Sequence, residues 1–420
     1  MKTVKLGDVA SVGISGVDKK AIPGELPVRL CNYTDVYYNW AIRNEMREGF
    51  MQATARREEI EKYRLHAGQV ALTKDSETRD DIGHAAYIAA DFEDVILGYH
   101  CALITPRAGK LDGQYLNALF RTRYISDYLS RNAGGSGQRY YLSDSSIKDI
   151  PLFLPPIEAQ LLIAGILGSL DEKIEINRRK IVELEAMAKK LYDYWFVQFD
   201  FLNANGKPYK SSGGKMEWKK EIKYEVPAGW EVGTIFEVSD LKVGGTPSKK
   251  IPNYWNGPIP FWGPTDYADG VFQLHTAETI SQTGFEHCSS DLLPEYATII
   301  TARGSIGKVA MVGVPMAMNQ SCFAFQAHDD NFSFVYFLSK QLVEQLKVRS
   351  SGSVFDSFVS SDLKNVVLPV GTAETRRAFS KLTNPIFQTI KNCSVSINEL
   401  IQLRDTLLPL LMNGQVNVAG

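Results

Sequence analysis

The sequence lacks the features by which several classes of protein are recognised. Its five cysteines are scattered singly, without a CxxC pair. An odd number of isolated cysteines favours reduced thiols over a disulfide framework or a zinc site. No apolar run approaches the ~20 residues of a membrane span, and the polar N-terminal sequence MKTVKLGDVA is unlike a signal peptide. We therefore expect a cytoplasmic protein with no bound metal and no membrane association.

Catalytic signatures are missing as well. The sequence contains no GxxxxGK[ST] phosphate loop, no GxGxxG, no HExxH and no GxSxG. The six histidines lie apart from one another, without the spacing of a helical metal pair. The tetrapeptide at 384–387, Asn-Pro-Ile-Phe, lacks the second proline of the Asn-Pro-Pro-Tyr motif of amino-methyltransferases. The sequence thus predicts a chain that is not an enzyme and holds no cofactor of its own.

Length and charge leave the choice of partner open. A chain of 420 residues, 44% hydrophobic and 22% charged, is typical of a soluble protein with two or three domains. Lys and Arg number 46 and Asp and Glu 48, which gives a formal net charge of −2. A neutral total lowers the expectation of nucleic-acid binding, but it allows a basic face opposite an acidic one.

The middle of the chain carries a long helical pattern. Between residues 157 and 196, apolar residues recur at alternating steps of four and three, the heptad seam of a helix that packs against another helix. Such a helix would span roughly 60 Å at ~1.5 Å per residue, which is the length of a spacer. The predicted seam consists of Ile163, Leu167, Leu170, Ile174, Asn177, Ile181, Leu184, Ala188, Leu191 and Trp195.

The second half of the sequence repeats the first. An Ile-Gly-basic-x-Ala core at 82–86 recurs at 306–310, and adding 216 carries the central helix onto residues 374–412. In this second helix Thr383 and Pro385 disturb the first turns, and Arg404 replaces an apolar residue. The chain is therefore predicted to be a tandem duplication. Its second seam comprises Ile390, Ile397, Leu400 and Leu407.

The predicted fold class is α+β: two β-rich α/β domains in tandem duplication, separated by two long helices. Two apolar seams on one chain are buried most simply against each other, so we expect an antiparallel coiled coil with a globular domain at each end. The predicted boundaries are 1–156 for the first domain, 157–196 for the central helix, 197–229 for a linker, 230–372 for the second domain and 373–413 for the C-terminal helix.

Polar, basic and glycine-bearing loops occur at matching places in the two domains. Glycine lets the backbone approach a phosphate closely, whereas Arg, Lys and Gln can reach base edges in the major groove. Any one such loop is more often a solvated turn, but two matching sets favour DNA contact. The candidates are Lys74, Arg79, Gly135, Ser136, Gln138 and Arg139 in the first domain and Thr246, Ser248, Lys249, Lys250, Arg303, Ser305, Lys308, Arg349, Ser351 and Ser353 in the second.

Several stretches point to one family. They are the central helix from LPPIEAQLL to KKLYDYWF, the linker FDFLNANGKPYKSSGGKMEWKK, the second-domain segments GGTPS, TARGSIGKVA and NQSCFAF, and the closing LRDTLLPLLMNGQV. Together they resemble the specificity subunit of type I restriction-modification systems over essentially the whole chain. The first domain matches less well, because KDSETRDDIGHAA is longer and more acidic than TARGSIGKVA.

The resemblance implies two target recognition domains, each of which reads one half of a bipartite, asymmetric site in double-stranded DNA. The long helices would set the spacer between the half-sites and dock two modification subunits, which methylate adenine; restriction subunits join in the full complex. S-adenosylmethionine, ATP and Mg would then belong to the partner subunits. Two alternatives stay open: a related system whose methylation and cleavage partner is one fused protein, and a two-headed coiled-coil scaffold that binds proteins.

Overall fold

A computed structural model describes residues 2–268, 270–304, 306–349 and 357–415 of the chain. The chain divides into two compact units. The first unit comprises Met1–Glu175 with Glu399–Gly420, and the second comprises Ile176–Asn398. Each unit therefore contains one globular domain and a part of each of two long helices.

The first unit is a mixed α/β structure. Its large sheet has the strand order β2-β10-β6-β8-β4, and smaller sheets have the orders β5-β3-β9, β11-β12-β7 and β1-β13. The strands are β1 Lys2–Lys5, β2 Ala10–Ile14, β3 Leu26–Cys31, β4 Ala41–Ile42, β5 Met51–Ala55, β6 Val70–Thr73, β7 Asp75–Ser76, β8 Ala85–Ile88, β9 Val95–Leu97, β10 Cys101–Pro106, β11 Gly134–Ser136, β12 Arg139–Tyr141 and β13 Pro151–Leu154. The helices are α1 Leu6–Val9, α2 Tyr33–Tyr38, α3 Arg57–Tyr63, α4 Gly113–Phe120, α5 Arg123–Asn132, α6 Asp144–Lys148 and the long helix α7 Ile157–Tyr192, which ends in a wide turn at Asp193–Val197.

The second unit repeats this arrangement. Its large sheet has the order β17-β24-β21-β22-β19, with smaller sheets β20-β18-β23, β16-β25 and β14-β15. The strands are β14 Met216–Lys219, β15 Tyr224–Pro227, β16 Val232–Gly233, β17 Ser239–Val243, β18 Trp255–Trp262, β19 Phe272–Gln273, β20 Glu278–Ile280, β21 Thr298–Thr301, β22 Val309–Val312, β23 Ala317–Met318, β24 Cys322–Ala327 and β25 Leu368–Pro369. The helices are α8 Gln282–Glu286, α9 Phe332–Arg349, α10 Ser360–Lys364 and the long helix α11 Ala373–Met412.

The two large sheets have the same topology, strand for strand. In each, neighbouring strands are antiparallel except for the last pair, β8 with β4 and β22 with β19, which is parallel. The sheets centred on β3 and β18 also match, with one antiparallel and one parallel neighbour each. The tandem duplication expected from the sequence is therefore present in the fold.

Each large sheet separates two hydrophobic cores because successive side chains of a strand point to opposite faces. In β10, Ala102 and Ile104 belong to the core beneath α4 and α5. The alternate residues Cys101 and Leu103 belong to the core beneath the sheet centred on β3. Strands buried on both faces are rich in apolar and β-branched residues without alternation, as in Val70–Thr73 and Thr298–Thr301, which are buried at every position.

The two long helices pack against each other in antiparallel fashion within each unit. In the second unit, Asn177 donates a hydrogen bond to the Ser396 hydroxyl over 3.4 Å, and the ring of Trp195 lies 5.8 Å from that of Phe379. In the first unit, Leu167 and Leu408 are buried in one core. As the residue number increases along α7, the number of its contact residue in α11 decreases, which is the antiparallel packing that was predicted.

The predicted seam positions face the interior of their units, and none of these described residues is exposed. The buried ones are Ile163, Leu167, Ile174, Ala188, Trp195 and Ile390, and the half-buried ones are Leu170, Asn177, Ile181, Leu184, Leu191, Ile397, Leu400 and Leu407.

Three local features differ from the sequence expectations. Apolar residues at helical spacing predict one helix over 114–130, but the structure has two helices there, broken at Arg121 and Thr122, where the Thr122 hydroxyl donates to the Leu119 carbonyl. The stretch 197–229 contains the hairpin β14–β15, whose Val226 is buried in the second unit's core. Helix α11 continues through Pro385 without interruption.

The polar residues of α11 have partners inside the second unit. Thr383 shares a hydrogen bond of 2.7 Å with the Ser333 hydroxyl. The Ser333 hydroxyl also donates to the Asn384 side-chain oxygen over 2.6 Å, and the Asn384 amide donates to the Asp330 carbonyl. These residues therefore fasten α11 to the first turn of α9, where a purely apolar seam would leave polar groups unpaired.

A substitution at Gly83 tests how closely the loop before β8 packs against the rest of the first domain. Its φ is +84°, and a Cβ built there would lie 2.3 Å from Leu129 Cδ1. Gly83→Ala should destabilise the domain by about 2–3 kcal/mol through backbone strain and overpacking. Gly24→Ala is the matched control: φ is +92° and no atom lies within 4 Å, so only ~1 kcal/mol is expected. Chemical denaturation measures both, and equal losses would contradict the packing argument.

Candidate nucleic-acid interface

The candidate residues of the first domain lie together on one small sheet. Strand β12 pairs with both β11 and β7, which brings residues 134–141 beside residues 74–76. In β11, just before the hairpin turn, Gly135 has a φ of +100°, and a Cβ there would lie 2.2 Å from the Arg139 carbonyl oxygen. Only glycine fits this position, so the glycine-rich sequence is required by the hairpin.

Asp75 organises the basic groups of this sheet. Its carboxylate lies 3.0 Å from Lys74 Nζ, 2.5 Å from His100 Nδ1 and 3.7 Å from an Arg139 nitrogen. Burial alone would raise the pKa of Asp75, but hydrogen bonds from His100 and Lys74 outweigh it, so that this pKa lies below its ordinary value. Asp75 thus stays ionised and holds the half-buried Lys74 in place, while Arg139 remains exposed.

The remaining first-domain candidates are exposed around this network. Arg79 stacks over the Tyr140 ring, with its guanidinium carbon 5.2 Å from the ring centre. Gly135, Ser136 and Gln138 are exposed on the hairpin. The structure therefore brings all six candidates of the first domain into one surface.

A cleft that the sequence reasoning missed adjoins this surface. It has a volume of about 580 Å³ and is walled by the tyrosines of α2, by the segment after β7 and by the β11–β12 turn. Asp81 stands in it, and both the Tyr37 hydroxyl, at 2.9 Å, and His84 Nε2, at 2.7 Å, donate to its carboxylate. The only sequence signal for this wall was the aromatic run of α2. The lining residues include Tyr33, Tyr37, Tyr38, Asp75, Glu77, Asp81, His100, Gln138 and Arg139.

In the second domain, the candidate loops converge through backbone and side-chain contacts. The Thr246 hydroxyl donates to the Gln320 side chain, and the Ala302 amide donates to the Ser321 carbonyl over 2.8 Å. The Lys308 ammonium lies 4.4 Å from the centre of the Tyr267 ring. Loops that begin at residues 244, 263, 302 and 319 therefore meet in the second domain.

The other second-domain candidates differ in their contacts and in their exposure. Lys249 pairs with Glu278 at 2.9 Å and stacks on Trp255 at 5.3 Å, while Ser248 accepts a hydrogen bond from the Trp255 indole through its carbonyl. Arg349, at the end of α9, donates to the Asn365 carbonyl. Lys250 and Arg303 are exposed, whereas the candidates Ser305, Ser351 and Ser353 lie outside the described residues.

The residue before β8 and the residue before β22 are equivalent in the duplication, and the backbone amide of each makes the same kind of hydrogen bond. The His84 amide donates to the Thr73 hydroxyl over 2.9 Å, and the Lys308 amide donates to the Thr301 hydroxyl over 3.0 Å. Each basic side chain lies over a tyrosine: the His84 and Tyr37 ring centres are 4.2 Å apart. The two domains thus present different nitrogen groups from one scaffold.

Within the described part of the chain, no group of three or more His, Cys, Asp and Glu side chains is arranged to hold a metal ion. A search of the described helices finds none long and apolar enough to cross a membrane.

Two copies of one α/β domain, each with basic and aromatic loops and joined to a pair of long antiparallel helices, define a duplicated two-domain binding protein. The sequence profile of the type I restriction modification DNA specificity domain matches residues 1–186 and 227–395. The chain belongs to this family, with one match in each half.

Characterised relatives span nearly the whole chain. It is 25% identical over 406 residues to the specificity subunit of the type I restriction enzyme MjaIX of Methanocaldococcus jannaschii, covering 94% of this chain and 87% of the relative. It is 24% identical over 392 residues to the HindI specificity subunit of Haemophilus influenzae, covering 81% and 85%. The crystal structure of a type I restriction-modification S subunit from M. genitalium aligns with a TM-score of 0.61 at 14% identity, covering 98% of this chain and 95% of that one. That similarity confirms the predicted fold class.

Asp75→Asn should destabilise the first domain because Lys74 and His100 lose their ionised acceptor. The side chain is only 11% exposed, so we expect a loss of about 2 kcal/mol at pH 7. Because the folded pKa of Asp75 is lowered, its stabilising effect is complete above its ordinary value of 3.8 and disappears as the pH falls through the folded pKa. Thermal unfolding from pH 7 to 3 measures this difference between wild type and variant.

Asp127→Asn is the control for this experiment, because Asp127 is half exposed and its arginine partners lie 3.8 Å away. It should cost less than about 0.5 kcal/mol. A gap between wild type and Asp75→Asn that widens below pH 4 would contradict the assignment of Asp75 as the ionised centre.

Proposed function

We propose that the chain is the DNA sequence-specificity subunit of a type I restriction-modification complex, in which each domain reads one half of a bipartite, asymmetric DNA site. The observation that carries this proposal is the duplication itself: two domains share one topology, yet they present different side chains from it. Two different readers on one scaffold suit two half-sites of different sequence.

The charge distribution supports DNA as the ligand. Although the chain has a net charge of −2, exposed basic side chains gather beside aromatic rings at Arg79 with Tyr140 and at Lys249 with Trp255. Basic groups of this kind contact phosphates and base edges, while glycine-bearing turns allow the protein backbone to approach the DNA closely. We assign phosphate and base contacts to the sixteen candidate residues as a set.

The long helices would set the distance between the half-sites. Helix α7 contains 36 residues and α11 contains 40, which correspond to about 54 and 60 Å at 1.5 Å per residue. Each runs without a break from one compact unit into the other. A continuous helix transmits length and phase, as a spacer between two recognition domains must. We propose the domain boundaries 1–156, 157–196, 197–229, 230–372 and 373–413 on this basis.

The outer faces of the helices suit the docking of modification subunits. Apolar side chains stand exposed on α7, among them Leu161, Leu162, Val182 and Met187, each at least half exposed. We propose that two modification subunits cover this surface, that restriction subunits join in the full complex, and that the chain is non-catalytic. S-adenosylmethionine, ATP and Mg would bind to these partners, and methyl transfer to adenine would occur there.

Exchange of the first domain tests the proposal. The segment 1–154 is replaced by the corresponding segment of another family member, the chain is co-expressed with its modification subunits, and methylated adenines are mapped across a host genome. Wild type should yield one bipartite motif, and the chimera should change only one half of it. A change in both halves, or in neither, would refute the assignment of one domain to each half-site.

The spacer is tested by lengthening both helices. One heptad inserted after Glu175 in α7 and one after Asn398 in α11, the boundaries between the units, preserve the seam because seven residues make nearly two turns. The added rise of about 10 Å should lengthen the unspecified spacer by up to about three base pairs at 3.4 Å each. Both half-sites should stay the same. Seven residues inserted at exposed Gly206 serve as control and should leave the spacer unaltered; altered half-sites would rule out the spacer role.

Two other functions predict different results. A related system with methylation and cleavage in one fused partner would yield a complex with fewer kinds of polypeptide, which purification of the native complex reveals. A protein-binding scaffold would show no duplex binding, whereas phosphate contacts give an affinity that falls steeply with salt when the partner is present.

A further inference from the structure

The cleft of the first domain contains a carboxylate that the proposed DNA interface does not explain. Phosphates repel carboxylates, so an acidic side chain beside a DNA-binding surface is either neutralised by the protein or in contact with a base. Asp75, Glu77 and Asp81 line the cleft, and Glu77 is exposed. The surroundings of the two aspartates separate the two cases.

Asp75 is neutralised within the protein. It is 8% exposed, and Lys74, His100 and Arg139 surround it. Its side chain therefore has an internal role, to hold these basic groups in place.

Asp81 is held in position but is not neutralised by a permanent cation. Its side chain is 45% exposed, and its partners in the described structure are the Tyr37 hydroxyl and His84 Nε2. Since a carboxylate only accepts hydrogen bonds, His84 must donate from Nε2. A carboxylate has about four acceptor positions, so acceptor capacity remains on the side that faces the cleft.

The second domain carries different side chains at the equivalent positions. The match of Ile82 to Ile306 sets Asp81 against Ser305 and His84 against Lys308. Lys308 lies over Tyr267 much as His84 lies over Tyr37. The first domain thus has a carboxylate where the second has a serine, and an imidazole where the second has a lysine ammonium.

We propose that Asp81 is a specificity-determining residue, and that its carboxylate accepts a hydrogen bond from the exocyclic amine of a cytosine in the half-site read by the first domain. In the major groove, cytosine presents the N4 amine donor, whereas the amine of adenine lies next to the N7 acceptor, which repels a carboxylate. Tyr37 and His84 are positioning residues that fix the carboxylate. The assignment rests on the proposed function of the first domain as a DNA reader.

The test uses the complex of the chain with its modification subunits and duplexes that contain its mapped site. Each cytosine of the first half-site is replaced in turn by N4-methylcytosine, which pairs with guanine but carries a methyl group in place of the major-groove N–H. Methyl-transfer rates should fall at least about tenfold at one position. 5-Methylcytosine at that position, which keeps the amine, should have a smaller effect.

Asp81→Asn provides the second arm. An amide pairs with the N6 and N7 edge of adenine, so the variant should lose its preference for cytosine at that position by about tenfold or more and accept adenine there. Discrimination in the second half-site should not change. Asp80→Asn is the matched control, because Asp80 is the exposed neighbour that accepts from Ser130 and does not line the cleft. It should behave as wild type.

The outcomes separate the two proposals. Wild type that methylates no bipartite site would refute the proposed function itself. Wild type that methylates its site but tolerates N4-methylcytosine throughout the first half-site would overturn the role of Asp81, as would an Asp81→Asn complex that discriminates like wild type. If Asp81→Asn fails to assemble, the N4-methylcytosine measurement on wild type decides.

Discussion

Neither compact unit completes its hydrophobic core from its globular domain alone. In the first unit, Leu167 of α7 and Leu411 of α11 are buried among the side chains of the domain, and in the second, Tyr192 and Phe379 of the same two helices do the same. Each helix contributes side chains to the core of both units. A change in the heptad phase within either unit would expose apolar area of that unit's core, at roughly 25 cal/mol per Å². This constraint explains why the steps of four and three in α7 are unbroken.

The two domains share the residues that determine their backbone conformation and differ in the side chains exposed on it. Gly83 and Gly307 both adopt positive φ against a helix, and the Thr73 and Thr301 hydroxyls both accept a hydrogen bond from the amide of the residue just before β8 or β22. These features are buried or sterically enforced, and a change in them costs stability. The exposed side chains between them are free of that cost. One scaffold can therefore carry readers of different chemistry.

The fold could be predicted further than the site. Heptad spacing and the repeat are local patterns in the sequence, and they predicted α7, α11 and the duplication. The break at Thr122 was missed because a hydroxyl competing for a helix carbonyl leaves no trace in apolar periodicity. The cleft was missed because its walls come from distant segments: Tyr37 and Asp81 are 44 positions apart. A search for loops rich in glycine and basic residues finds only one of those walls.

By itself, the sequence determined the two-domain repeat, the antiparallel helix pair and the set of basic loops, because each follows from residue type and spacing. Only the tertiary structure decided which charged side chains are neutralised by neighbouring groups of the protein. Asp75 and Asp81 are both acidic residues near basic ones in the sequence, yet Asp75 is buried against three cationic or ionisable groups and Asp81 opens to a cleft. Hydrogen bonds and Coulomb interactions act through space over a few ångströms. The neighbours that set them are therefore fixed by the packing of distant segments.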